Sequence, residues 1–486
     1  MKTINRYILT AAMGSMLFVS CKKDFLDIND NPNSPSKVEV KDVLPSAELA
    51  IGHAMGNNFQ VYGCIWGEYW TQNPYSSQYK TLEQYSPAAD DFDAPWRLCY
   101  SDALQDLNYV VKKGTEEGKF QYVACAKILQ AYTYQVLTDN FGDIPFSDAL
   151  KGEDGVISPK YDTQKDVYDG IIKLIDDGLA LIDPSATDGP TTDDILLGGD
   201  MTMWTKFANT LKLRVYLRMA YVDAAKAQAG IASMASATFL GAGENVQIKY
   251  TSTPGNTNPY YSVFSEINGT QNFVASSTCL DTMYNWFDDR IAVVYTPLSN
   301  GSFQGNAQGD YTSNIPVTSL SLPGAITGAN VNDATSANAP VKLMSDYESL
   351  FLQAEAAART WLPGTAQTFY ESGITASYVD CGLSDTLAPY YFAQPQVAYP
   401  ASGTVAQQVE AIITQKWFAM CGTQGNEAWT EYRRTGYPSF LVPSVHSIIG
   451  PGKMPNRMFY PSSELTRNPN VPAQHLIYDK VWWDVN

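Results

Sequence analysis

The chain has 486 residues, 45% hydrophobic and 12% aromatic, with 50 acidic against 32 basic side chains and a formal charge of −18. This apolar and aromatic content excludes disorder as the general state, because disordered chains cannot bury enough surface to offset their entropy. The acidic balance excludes nucleic acid, whose binding rests on clustered Lys and Arg displacing counterions, and works equally against broad docking on anionic lipid.

At the start of the chain, Lys2 and Arg6 lead into an uncharged stretch from Tyr7 to Val19. It is too short to cross a bilayer as a helix, which takes about 20 residues, and it suits the centre of an export signal. Ser20-Cys21 closes the segment as in the bacterial lipoprotein cleavage box, although Phe18 stands where that box has Leu. The expectation is a signal peptide over 1–20, a lipid on Cys21, and a polar, Asn- and Pro-rich tether over 21–40. No later segment is apolar enough to span a membrane, so attachment would be through lipid only. Cleavage would also leave six cysteines, 64, 99, 125, 279, 381 and 421. These allow fifteen pairings, but they are widely spaced, and Cys125 and Cys421 lie in apolar helical runs. They read as buried thiols, since free Cys behaves as a small hydrophobe.

Helical spacing of apolar residues then recurs along the chain. Residues 165–182 carry Val167, Ile171, Leu174, Ile175, Leu179 and Ile182, and residues 201–222 carry Trp204, Phe207, Leu211, Val215 and Met219. Residues 121–137 are apolar nearly all round, the mark of a helix buried on every side. Ser345 and Glu348 have capping-box spacing ahead of Leu350, Phe351, Ala354 and Trp361. Val405, Val409, Ile412, Ile413, Trp417 and Met420 mark a further helix, and others are expected over about 43–56, 95–112 and 366–379. The clearest strand is short, at 245–250. The fold class is therefore mostly α, with helices able to pair into tetratricopeptide-like units although no strict 34-residue repeat occurs. Residues 299–340 depart from this pattern. They hold no Lys or Arg and are dense in Gly, Ser, Thr, Asn and Ala, so a long loop-rich insertion is expected over about 250–340 within one domain spanning 41–486.

Eight segments in order resemble the SusD/RagB family of outer-membrane nutrient-binding lipoproteins, in its second large branch. They are Phe25 to Asn33, Leu137 to Phe146, Trp204 to Arg214, Tyr347 to Arg359, Ile413 to Trp417, Glu427 to Pro438, Arg457 to Pro461 and Val481 to Asp484. One departure is Asp288-Asp289-Arg290, where the family has Asp-Pro-Arg. The resemblance implies a tetratricopeptide-like scaffold carrying a more irregular half, seated at the cell surface over a TonB-dependent SusC-like transporter. It implies capture of oligosaccharides, or peptides for some members, and delivery to the pore without chemistry.

Catalytic and metal signatures are weak by comparison. Glu427, Glu431, Arg433 and Arg434 read as structural ion pairs, and Glu355 as the partner of a buried donor. The histidines 53, 446 and 475 lack paired spacing. Asp27, Asn29 and Asn31 begin like a calcium loop, but Pro32 occupies the Gly position and Val38 that of the final Glu. Asp90, Asp91 and Asp93 read as a solvated loop. No phosphate-cradling loop, nucleophile elbow or dinucleotide fingerprint occurs, so neither a catalytic residue, a metal nor a cofactor is expected.

Aromatic residues interleaved with amides give the ligand signal. Sugar rings stack their C–H faces on flat side chains while Asn, Gln or Ser bond the hydroxyls. Trp66 and Tyr69 fit a core helix, whereas Trp70, Asn73, Tyr75 and Tyr79 are expected at a binding surface. Tyr260, Tyr261, Trp286 and Phe303 form a second group of candidates. A glycan-binding protein is the leading expectation, with a peptide-binding family member or a glycoside hydrolase as alternatives. The hydrolase would need two carboxylates about 5 Å, or about 6.5–9.5 Å, apart across a cleft.

Overall fold

The computed structural model describes residues 38–486. The expected signal peptide, the lipid-bearing Cys21 and nearly all of the tether lie outside the described residues. Helix α1 spans Val40–Gly56 and α2 spans Asn58–Trp66. A continuous helical rod follows from Asp93, with a π-helical stretch at Leu98–Leu104 before α3, Gln105–Glu117, which Gly118 ends in left-handed conformation. Next come α4, Phe120–Phe141, α5, Gln164–Leu179, and α6, Met201–Arg218. After the irregular middle, α7 covers Asp346–Ala358, α8 Ala366–Asp380, α9 Val405–Ala419 and α10 Gly425–Thr435.

Caps stand where local chemistry puts them. Thr163, Asp200 and Ser345 accept from the backbone N–H groups that α5, α6 and α7 leave unpaired, as expected for short oxygen-bearing side chains. Helix α6 stops at Arg218, short of the expected 222, because Asp223 caps a new helix over Ala224–Ser233. Helix pairs stack antiparallel in the tetratricopeptide-like manner, α4 on α5 and α7 on α8 and α9. Helix α4 is buried from Gln121 to Phe141 with few interruptions, so neighbours surround it. No described helix is long and apolar enough to cross a membrane. The six described cysteines are free, all buried except the half-buried Cys381.

Strands are few and short. Trp70–Gln72 pairs antiparallel with Phe273–Ala275, and Val246–Ile248 pairs with Val341–Met344 through an irregularity at Val246/Gln247. Only Val246–Ile248 falls in a segment expected to be a strand. Three-residue strands carry too little alternation to be read from sequence.

The helical half is centred on buried charge. Arg218 of α6 forks onto Glu427 of α10 at 2.7–2.8 Å, bonds Glu431, and lies 3.3 Å from Asp139 of α4. Arg434 bridges Glu355 of α7 and Glu431 at 2.6–3.0 Å. Lys416 of α9 lies 3.3 Å from Glu427 and 3.5 Å from Glu431, and Arg214 bonds Glu348 at 3.1 Å. Burial pushes the Glu431 carboxyl up, but Arg434, Lys416 and Arg218 outweigh it and hold the group well below the usual carboxylate range. These acids answer cations inside the core. Asp288 and Arg290 repeat the device, paired at 2.6–2.9 Å within the irregular half. The pair survives the departure at position 289 because only its two ends bond.

Two other acids are buried without a cation among the described residues. Glu83 accepts from Thr71 Oγ1 and Gln72 N at 3.0 and 2.7 Å with one oxygen, and from Gln308 Nε2 at 3.2 Å with the other. Glu68 accepts from Val442 N at 2.7 Å. Burial pushes Glu83 up to about 7 and Glu68 up to about 8. Together they pin the 299–340 insertion and the 440–448 segment onto Thr71–Glu83. Gly309 makes the close approach possible. Its φ is +78°, and a Cβ there would sit 1.8 Å from Ser444 Oγ.

Arg434→Met should lower stability by about 3–5 kcal/mol, the cost of leaving buried acids without their cation. Arg434→Lys should fail to rescue it, because an ammonium cannot fork onto two carboxylates. Melting curves check both, and a wild-type melting temperature for Arg434→Met would refute the structural role. A pH dependence follows from Glu68 and Glu83. Unfolded, each loses its proton near 4.5; folded, each keeps it to about 7 or 8. Across that window the folded chain binds more protons, so these groups lower stability as pH rises, levelling off above about 8. Glu68→Gln should therefore gain on wild type between pH 5 and pH 8 in paired thermal melts, and an unchanged difference would contradict the shift.

Candidate ligand-binding surface

The stretch after α2 divides sharply between core and surface. Trp66, Tyr69 and Trp70 are all buried. Tyr69 donates to Trp417 O at 2.5 Å. The Trp70 ring stacks on Phe273 at 5.3 Å and tilts against Tyr260 at 6.0 Å, so it offers solvent no face. Asn73 is consumed too: its Nδ2 donates to Gln271 O at 2.8 Å and its Oδ1 accepts from Tyr75 N at 2.8 Å. Tyr79 is half-buried, stacked on Phe273 at 4.8 Å. Tyr75 is 66% exposed, its hydroxyl 3.5 Å from Asn314 O.

The second group of candidates separates in the same way. Tyr260 is fully buried, stacked on Phe264 at 4.3 Å under a turn capped by Asn258. Tyr261 is half-buried beside it, and Phe303 packs its ring against the core. Trp286 keeps part of its ring in solvent and lies against Phe418 and Phe440. Trp70, Asn73 and Tyr260 are thus corrected from surface candidates to packing residues. The physical reason is the short sheet Trp70–Gln72/Phe273–Ala275, which turns these rings and amides inward.

Two residues that the sequence did not single out as ligand candidates lie on the segments packed against Thr71–Glu83. Tyr311 lies on the insertion, and its ring stacks on His446 at 4.6 Å and 30°. Lys80 Nζ sits 5.0 Å from the Tyr311 ring centre, close enough for a cation–π contact. Gln84 Nε2 donates to the Tyr311 hydroxyl at 2.7 Å. Thr312 Oγ1 lies 3.0 Å and Asp310 3.9 Å from His446 Nε2. The result is a half-buried ring pair, Tyr311 and His446, fringed by hydroxyl, amide, ammonium and carboxylate groups, with exposed Tyr75 reaching the same insertion at Asn314.

Each ring comes from a different segment, and all three segments are held by Glu83 and its neighbours. Gln308 carries Tyr311, Thr71–Glu83 carries Tyr75, and Val445 N donates to Gln308 O at 3.0 Å to place His446. No local pattern joins residues 75, 311 and 446, which is why sequence reasoning missed the last two. The Asp90–Asp93 loop is spent on structure: Asp91 accepts from Ala88 N, and Asp93 accepts from Ser463 N and Oγ.

Among solved structures, a chitin-binding SusD homolog from Flavobacterium johnsoniae is 24% identical, with a TM-score of 0.73 over 90% of this chain and 99% of that one. A SusD homolog from Bacteroides uniformis is 24% identical, with a TM-score of 0.76 over 91% and 99%. One from Bacteroides thetaiotaomicron is 23% identical, with a TM-score of 0.75 over 93% and 100%. These likenesses establish the shared fold. A search of curated proteins returns no match. The SusD-like model, described as starch-binding and associating with the outer membrane, matches residues 32–461. The match takes in most of the chain, and the protein belongs to the SusD-like family.

Proposed function

We propose that the protein is a non-enzymatic, surface-exposed lipoprotein that captures oligosaccharides and passes them to a SusC-like TonB-dependent transporter of the outer membrane. The observation that carries this reading is the part-exposed Tyr311–His446 ring pair, with exposed Tyr75 bonded to the same insertion, on a member of this family. An exposed ring and a part-exposed ring pair, bordered by groups that donate and accept, suit a ligand with apolar C–H faces and hydroxyl edges. Relatives described as chitin-binding support a glycan as the ligand class. The acids of the helical core are committed to cations, which supports binding without turnover. Cys21 is the attachment point in this reading, because it follows a short apolar export core and precedes a polar tether.

Tyr311→Ala and Tyr75→Ala should each weaken oligosaccharide binding about five- to a hundredfold, on the scale of about 1–3 kcal/mol for a base stacked on an aromatic ring. Calorimetry against starch- and chitin-derived oligosaccharides reads the loss, with melting curves to show that the fold persists. Unchanged affinity in both variants would move the site elsewhere. Cys21→Ala should shift the protein from the membrane to the soluble fraction, and a variant that stays fully membrane-bound would reject lipid anchoring.

A further inference from the structure

Trp286 sits in a separate pocket of about 300 Å³, which it lines with Phe440, Tyr370, Gln407, Glu410 and Thr414. That volume reaches the lower end of the range for small-ligand sites, roughly 300–1,000 Å³. Three independent features set this pocket apart from an ordinary surface dent.

First, Thr414 is 7% exposed, yet its hydroxyl has no hydrogen-bond partner among the described residues. Thr430 and Thr435, on the next helix, return their hydroxyls to the carbonyl four residues back at 2.7 Å. The Thr414 hydroxyl instead faces the open pocket, where it is available to a group from outside. Second, Phe287, directly after Trp286, has φ +52° and is 76% exposed. That conformation closes the helix Ser277–Asn285, with Phe287 N and Asp288 N donating back to Tyr284 O and Met283 O. Here it holds a second ring in water next to Trp286 in the chain. Third, the polar groups are part-used and complementary. Glu410 accepts from Ser439 at 3.3 Å through one oxygen, leaving the other free. Gln407 gives its oxygen to Thr404 N at 2.9 Å, leaving its amide donors free.

From this geometry we infer that the Trp286 pocket is a second saccharide subsite, taking one neutral sugar ring of a chain that also lies on the Tyr311–His446 ring pair. Neutrality follows from the lining, in which Glu410 is the one charged side chain and would repel an anionic sugar. The link to the ring pair follows from the backbone. Phe440 in the pocket and His446 in the ring pair are six residues apart, which spans at most about 20 Å at ~3.3–3.6 Å per residue. A chain long enough to touch both sites binds at two points, and the second contact becomes intramolecular.

The inference rests on the glycan-binding reading, and the experiment separates the two. Wild type is screened on an array of neutral and acidic oligosaccharides of increasing length, and calorimetry follows on the best series. Affinity should rise with length among neutral chains. Trp286→Ala and Thr414→Val should flatten that rise, costing about tenfold or more for the longest chains as the second contact is lost. Both should leave the short-chain affinity, which Tyr311→Ala removes, at the wild-type level. Thr414→Val keeps the side-chain shape, so it decides the matter if Trp286→Ala melts early. Glycan binding without a length dependence, or one that survives both variants, overturns the subsite and leaves the general reading intact. An array on which wild type retains nothing overturns both.

Discussion

Five helices meet at one set of buried charges, and their arrangement depends on it. Arg218, Arg434 and Lys416 lie among Glu427, Glu431, Glu355 and Asp139 with almost no access to water. Taking such groups out of water costs several kcal/mol per ion, repaid only when geometry and extra hydrogen bonds are nearly complete. Forked guanidinium contacts meet that demand, whereas apolar side chains would accept many packings. The charges therefore select one mutual placement of α4, α6, α7, α9 and α10. Trp483 adds its indole N–H to Asp139 at 2.9 Å, which draws the C-terminus into the same arrangement.

The irregular half is ordered by a different principle. It has little regular structure, so its backbone groups find partners singly, through amides and through carboxyls whose proton affinity burial raises. Gln308, Gln271 and Asn272 each bond backbone carbonyls or side chains of distant segments. Such contacts fix position without requiring repeated patterns along the chain. The Tyr311–His446 ring pair is consequently held by a framework of single, specific bonds.

This contrast explains what the sequence made legible. Helices α4, α5, α6, α7 and α9 were readable because their apolar spacing is local, and the cap at Ser345 because it needs only Glu348, three residues on. The family could be named from motifs such as Glu427 to Pro438, which turn out to be core machinery. Ligand residues were harder. Trp70 and Asn73 follow the same alternation of rings and amides as an exposed platform, but their partners, Phe273 and Gln271, lie about two hundred residues away. His446 looked isolated because its neighbour Tyr311 is equally remote. Burial decided these positions, and burial there is set by pairings that leave no local trace.

The distribution of charges along the chain bears on how the molecule comes into being. Asp139, Arg214 and Arg218 are made long before Glu348, Glu355, Glu427 and Glu431, and Trp483 comes nearly last. Early in the chain, Asp139 and Arg218 can answer only each other, and Arg214 lacks Glu348. Closing α4 and α6 around them before α7, α9 and α10 are present would strand charge in a dry interior. The helical half therefore needs both ends of the chain before its core can shut over these ions.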